Sequence, residues 1–251
     1  MHMKRIPYSD LLELQRWNTP TIYNGWEQIT SHRANYDGIN LEPLTDFMPG
    51  MGPMAGYAIT VVIQPGNKKH PEDNPDGWAQ YREYVAEVPG PKIVVVQDLD
   101  KPSLYGSFWG EVNSNIHKAL GCIGTITDGG IRDVDEMVGV GFKALARNLC
   151  VGHAFSFPVR WNCGVEVFGR KVLPGQLIHA DKHGFLVIPD EDQDKLLEAS
   201  RFMDFCECNT LIPAARNSWG KPVGETLESI NRATDEFSKL VKGRFGNKGE
   251  W

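Results

Sequence analysis

Residues 109–136 read WGEVNSNIHKALGCIGTITDGGIRDVDE, and the order of residue types in this stretch decides the fold class. Gly110 frees the backbone, and Glu111 puts an acidic group where a helix N-terminus favours one. Val112, Ile116, Ala119 and Leu120 recur at helical spacing and predict a helix with one apolar stripe. Cys122–Thr127 carries no charge and alternates β-branched residues, which predicts a buried strand. Asp128-Gly129-Gly130 then predicts a turn, Ile131-Arg132-Asp133 leads into a short helix, and Phe142–Ala146 forms a further strand. Upstream, Lys92–Val96 behind Pro89-Gly90 is another apolar strand, so the middle third is a β-α-β-α-β run.

This order has a chemical consequence. One helix and one buried strand separate Glu111 from the pair Arg132-Asp133, so the chain returns and the helix start faces the turn after the strand. A helix N-terminus beside the carboxyl end of a strand is a favoured place for a small anion. Backbone N–H groups of Glu111, Val112 and Asn113 can bind a carboxylate, and Gly110 allows its close approach. Arg132 offers a planar fork of donors suited to a keto or enolate oxygen. Asp133 is a hard oxygen ligand for an ion such as Mg²⁺, which takes one or two protein carboxylates and keeps several waters. Glu111 can hold one of those waters. Asp133-x-x-Glu136 is equally a helix-start pattern in which Asp133 caps the helix and Glu136 reaches back. Sequence leaves both readings open.

Outward from this centre, Leu11, Leu12 and Leu14 predict a helix over 8–17 that Pro20 stops or re-aims, and residues 21–29 a second helix. Residues 42–56, rich in Pro and Gly, form a loop leading to a strand at Tyr57–Ile63 that is buried on both faces. The polar, Pro-rich segment 64–77 reads as an exposed excursion and a candidate lid. Residues 165–188 read as short strands joined by tight turns, the pattern of antiparallel hairpins. Beyond Pro189, Asp190-Glu191-Asp192 opens a helix, and a last helix from Pro222 aligns Leu227, Ile230, Phe237, Leu240 and Val241 on one face, which needs a partner in its own core or in a neighbouring subunit. The final GRFGNKGEW is expected to fray.

Composition sets outer bounds. A net charge of -6 gives no broad attraction to nucleic acid or anionic lipid, so a small anion needs a local cationic pocket. The first twenty residues are charged throughout, with no apolar core of signal-peptide length, and no run approaches a membrane span, which points to a cytoplasmic location. The opening Met1-His2-Met3 is compatible with a native start at Met3 behind a two-residue appendage. Five scattered cysteines suit a reducing compartment. His179, Asp181 and His183 alternate and form a rival metal trio on a continuous strand. His153 reads as an ordinary loop histidine. Cys163 lacks an evident base, and Gly121–Gly130 lacks the GxGxxG that a methyltransferase reading would draw on.

The motif GxxGTITDGGIRDVDEM, preceded by Gly110-Glu111, resembles the signature of the RraA-like proteins, which include 4-hydroxy-4-methyl-2-oxoglutarate aldolases. LTDFMPGMGPMAGYAITVV, PGPKIVVVQDL and NCGVEVFGRKVLPGQLIHADKHGFLVIP are similar to further segments of that family in the same order, so the resemblance covers residues 19–189. It implies a three-layer β/β/α swivelling-type domain over 1–189 with an added helical region over 190–251, packing on the core or on a neighbouring subunit. It also implies a metal-dependent pyruvate aldolase using Mg²⁺ or Mn²⁺ on a small anionic 2-oxo acid, with oxaloacetate decarboxylation a related activity. Arg132 would contact the substrate oxygen, Asp133 the metal, and the amides after Gly110 the pyruvyl carboxylate. Glu111 stands where the family motif has Asp, and His183 replaces a usual acidic residue. A homotrimer or homohexamer with sites completed by a neighbouring subunit is implied as well. The rival reading is a non-enzymatic regulator that binds an RNA-degrading enzyme, as RraA itself does.

Overall fold

The computed structural model describes residues 5–246; the Met1-His2-Met3 start and residues 247–251 lie outside the described residues. The chain divides into two compact units, one of residues up to Thr19 with Asn35–Asp190, the other of Pro20–Ala34 with Glu191 onward. Residues 20–34, read from sequence with the catalytic segment, thus cluster with the C-terminal helices.

In chain order the elements begin with α1 (Tyr8–Leu14), α2 (Thr19–Ile29), α3 (Ala34–Asp37), β1 (Thr45–Asp46), β2 (Met54–Ile63), α4 (His70–Asp73) and α5 (Gly77–Glu87). The central part holds β3 (Lys92–Asp98), β4 (Ser107–Trp109), α6 (Glu111–Ala119), β5 (Cys122–Ile131), α7 (Val134–Val140) and β6 (Lys143–Leu149). Then follow β7 (Pro158–Trp161), β8 (Val165–Val167), β9 (Arg170–Val172), β10 (Leu177–Asp181), β11 (Gly184–Ile188), α8 (Gln193–Asn209), α9 (Leu211–Arg216) and α10 (Val223–Phe245).

The first unit is a three-layer β/β/α domain. Its main sheet runs β1-β6-β5-β3-β2-β10-β11, with β4 added to β5 and β7 to β2. Strands β2, β3, β5 and β6 are parallel, and β1, β7, β10 and β11 pair antiparallel to their neighbours. Because side chains alternate along a strand, Ile59, Val61, Val94 and Val96 join the core that includes Tyr81 and Val85 of α5 and Met137 of α7. Ala58, Val62, Ile93 and Val95 join the opposite core, closed by Val165, Val167 and Val172 of the β8–β9 hairpin. Each fully buried large side chain of this kind stabilises by roughly 1.5–3 kcal/mol. Between the edge strand β1 and its neighbour β6, the buried Lys143 Nζ meets Asp46 Oδ2 at 2.6 Å and the Met48 carbonyl at 3.1 Å, so the charge does not go unpaired.

The second unit packs Met203 and Cys206 of α8 against Phe237 and Val241 of α10. Its α2 meets α8 so closely that a Cβ on Gly25 would come within 2.5 Å of the Ser200 backbone. The Trp26 indole donates to Asp192 at 2.8 Å. No helix among the described residues is long and apolar enough to cross a membrane.

Several expectations are corrected. Pro20 does not stop a helix but sits in the first turn of α2, where its missing N–H costs nothing. Asp128-Gly129-Gly130 is not a turn: β5 continues to Ile131, and the glycines lie at a register shift against β6 between Thr127 and Gly130. Asp128 is fully buried there, accepting from the Asp98 N–H at 2.7 Å and from Lys101 at 2.6 Å. Helix α6 buries Ser114 and His117 rather than the expected stripe, and Val112 is 74% exposed. Burial of the His117 imidazole is tolerated because Tyr81 Oη and the Asn113 carbonyl occupy its two ring nitrogens at 2.9 and 2.8 Å. In α10, Ala233, Phe237 and Val241 are buried while Leu227 and Leu240 are exposed, and the helix persists through Phe245, which packs on Phe202, instead of fraying from Gly243.

Candidate functional site

The register of β5 places the site. Its neighbour β4 runs parallel to it and ends at Trp109, whose carbonyl accepts from the Arg132 N–H at 3.3 Å, so the start of α6 and the residues after β5 are brought side by side. Gly110 lies at the junction. A Cβ there would come within 2.6 Å of Asp133 Oδ2 and 3.1 Å of Arg132 Nε, so any larger residue would push these two side chains aside.

Asp133 adopts a left-handed backbone, φ 55° and ψ 47°. Aspartate tolerates this region better than most residues, yet it still stores strain, and such strain concentrates at functional positions. The side chain makes no cap hydrogen bond to its own helix α7, so the capping-box reading is not the one adopted. Its Oδ2 instead accepts from the Glu111 N–H at 3.1 Å and lies 3.7 Å from Arg132 Nε. Of the three amides expected to meet a carboxylate, that of Glu111 is therefore already engaged. Val112 and Asn113 remain in the first turn, where N–H groups have no acceptor within the helix.

A cleft of about 220 Å³ opens at this point, lined by Gly110, Val112, Asn113 and Arg132 among others. Glu111 is exposed beside it. A hard divalent cation asks for one or two carboxylates and several waters, and the donor set of Asp133, with Glu111 adjacent, fits that demand. Among the described residues no three His, Cys, Asp or Glu side chains gather into a closed metal site. The rival trio is otherwise employed: His179 is buried with Thr19 Oγ1 at 2.9 Å and the Leu14 carbonyl at 3.1 Å on its ring nitrogens, and Asp181 accepts from the Thr19 N–H and from His183.

The cleft also includes residues that the sequence reading passed over, Trp78 and Arg82 of helix α5 and Ser156 of the segment before β7, together with His153, read from sequence as an ordinary loop histidine. The signal for α5 was present in the spacing of Trp78, Tyr81 and Val85, of which the last two are buried. Trp78 stacks on Phe108 at 5.3 Å, and the Arg82 guanidinium lies 5.0 Å from the Trp78 ring.

A family model described as RraA-like, Aldolase/RraA, matches residues 19–187. Protein DlpA of Legionella pneumophila is 23% identical over 155 residues, which is 61% of this chain but only 23% of that protein's length. Two solved structures share the fold. An uncharacterized protein from Pseudomonas syringae superposes with a TM-score of 0.68 at 20% identity, covering 91% of this chain and 97% of that one. Streptomyces coelicolor RraAS2, described as an unusual member of the RNase ES inhibitor RraA protein family, superposes with a TM-score of 0.63 at 23% identity, covering 82% and 97%.

Proposed function

The chain belongs to the RraA-like family, and from that premise we propose that it is a divalent-metal-dependent carbon–carbon lyase that cleaves a 4-hydroxy-2-oxo acid to pyruvate and a carbonyl product. The observation that carries this reading is Asp133, held in a left-handed conformation beside Arg132 and the start of α6 without capping its own helix. An aspartate that served only to cap α7 would spend its carboxylate on the N–H groups of that helix, whereas Asp133 turns it to the start of α6, beside Arg132.

In this mechanism the Val112 and Asn113 amides hold the substrate carboxylate. Arg132 donates to the keto oxygen and stabilises the negative charge that develops on it. The C4 hydroxyl loses its proton to a water held by Glu111, the C3–C4 bond breaks, and its electron pair becomes the enolate of pyruvate, which takes a proton at C3. Asp133 would hold Mg²⁺ or Mn²⁺, whose chemistry when bound is Lewis-acid polarisation of the 2-oxo acid. Oxaloacetate decarboxylation leaves the same enolate and falls within the same proposal. Exposed apolar side chains near the cleft, Val112, Val151 and Phe155, support a subunit contact there, in keeping with the homotrimer or homohexamer that the family resemblance implies.

The test is pyruvate release from a panel of 4-hydroxy-2-oxo acids and oxaloacetate, with and without EDTA. Release that chelation abolishes and Mg²⁺ or Mn²⁺ restores is the expected result. Release untouched by thorough chelation overturns the metal role, and no release from any member of the panel favours a protein-binding regulator.

A further inference from the structure

The lyase chemistry needs one more group, because the enolate takes a proton at C3 and something in the cleft must deliver it. Among the residues that line the cleft, Arg82, Arg132 and His153 have ionisable side chains. A guanidinium keeps its protons throughout the neutral range, whereas an imidazole both takes and gives one there. His153 is thus the lining residue whose chemistry suits the transfer.

Its loop is fixed on both sides. The Ser107 N–H of β4 donates to the Gly152 carbonyl at 2.9 Å, and a Cβ on Gly106 would come within 2.4 Å of the His153 carbonyl. Opposite, Arg132 Nη1 lies 3.5 Å from the Val151 carbonyl, which sets the loop beside the arginine that receives the keto oxygen. Ala154 stands in the left-handed region at φ 43°, a strained conformation for a residue other than glycine. There its carbonyl lies 2.9 Å from Nδ1 of His153. A carbonyl can only accept, so Nδ1 carries the hydrogen and the neutral ring keeps its lone pair on Nε2. The residue is exposed, and among the described residues Nε2 has no hydrogen-bond partner.

We propose that His153 is the proton carrier of the cleft, taking up on Nε2 the proton that leaves the C4 hydroxyl and handing it to C3 of the enolate. The water at Glu111 passes a proton to Nε2 as it takes the one from the hydroxyl, and the ring becomes imidazolium. The Nε2–H bond then breaks as the C3–H bond forms, and the ring returns to its neutral state, with Nδ1–H held by the Ala154 carbonyl. This inference deepens the lyase reading and rests on it for the carbon that accepts the proton.

Delivery of a proton to C3 runs in reverse as removal of a methyl proton from pyruvate. The probe is therefore pyruvate with Mg²⁺ in deuterium oxide, with deuterium entry into the methyl group followed by NMR. Wild type should exchange. His153→Asn, whose amide can still donate to the Ala154 carbonyl, should exchange at least about a hundredfold more slowly, with KM for pyruvate unchanged. His153→Ala should be as slow and should regain exchange when imidazole is added, which loss of a merely structural histidine would not allow; the Asn variant carries the test if Ala does not fold. Without any ligand, NMR of wild type with labelled ring nitrogens should find neutral His153 protonated on Nδ1. Exchange at the wild-type rate in His153→Asn, no recovery with imidazole, or a neutral ring protonated on Nε2 overturns the role of His153 and leaves the lyase standing. Exchange that depends on His153, with no hydroxy-oxo acid cleaved, refutes the lyase and leaves His153 as an enolising base. A wild type that neither exchanges nor releases pyruvate overturns both.

Discussion

Replacing Asp133 by Asn separates the catalytic role of this side chain from its structural one. Asparagine accepts the left-handed backbone as readily as aspartate, so φ 55° adds no new strain. Its amide oxygen can still accept from the Glu111 N–H, now as a neutral hydrogen bond in place of a charge-assisted one, a loss of about 1 kcal/mol. The attraction to Arg132 spans 3.7 Å between side chains 37% and 35% exposed, and solvent screening reduces it to less than about 0.5 kcal/mol. Folding should therefore weaken by about 1 kcal/mol in urea titration. If the carboxylate is a metal ligand, turnover should fall by about a hundredfold or more, equivalent to roughly 3 kcal/mol of transition-state stabilisation, with a parallel loss of Mg²⁺ affinity. Wild-type turnover and metal affinity in Asp133→Asn, on a substrate that the wild type cleaves, would refute the assignment and leave Asp133 as a brace for the start of α6.

Gly110→Ala should abolish both metal and substrate binding while the main sheet stays intact by circular dichroism, since its Cβ would meet Asp133 Oδ2 at 2.6 Å; unchanged binding would show that the clasp can open without loss. Burial pushes the imidazoles of His117 and His179 down to about 4. Both must fold neutral, so their contribution is fully present above about pH 6.5 and is lost as the pH falls toward 4, by up to about 3 kcal/mol each. Asp98 works in the opposite sense over this window, because burial, and then the nearby Asp100 and Asp128, push it up to about 7. The loss is therefore read in Asp98→Asn, in which the Asp128 carboxyl, also raised by burial, still offsets part of it: urea unfolding of that variant should show less stability at pH 4.5 than at pH 7, and stability that rises as the pH falls would refute the cost assigned to the two imidazoles.

What the sequence made legible follows from the range of the forces involved. The apolar runs of β2, β3 and β5 could be read directly, because a strand buried on both faces leaves its mark residue by residue. The meeting of Arg132 with the start of α6 was also readable, since a helix followed by a parallel strand returns the chain by a fixed geometry. Readings failed where a long-range partner reversed a local preference. Asp128-Gly129-Gly130 has the composition of a turn, but strands on both sides of β5 hold it extended, and Lys101 and the Asp98 N–H satisfy the buried carboxylate. His117 took the place of an apolar residue because Tyr81, distant in sequence, supplies one of its two hydrogen bonds. The ambiguity at Asp133 is of the same kind: whether a carboxylate at a helix start caps that helix depends on whether another donor lies nearer, and here the Glu111 N–H does, brought in by β4 pairing with β5. Arg82 escaped notice for a related reason. An arginine in a polar, Pro-flanked segment looks like any solvated charge, and it acquires a distinct place only when the fold lays it over the Trp78 ring in the wall of the cleft that Arg132 shares.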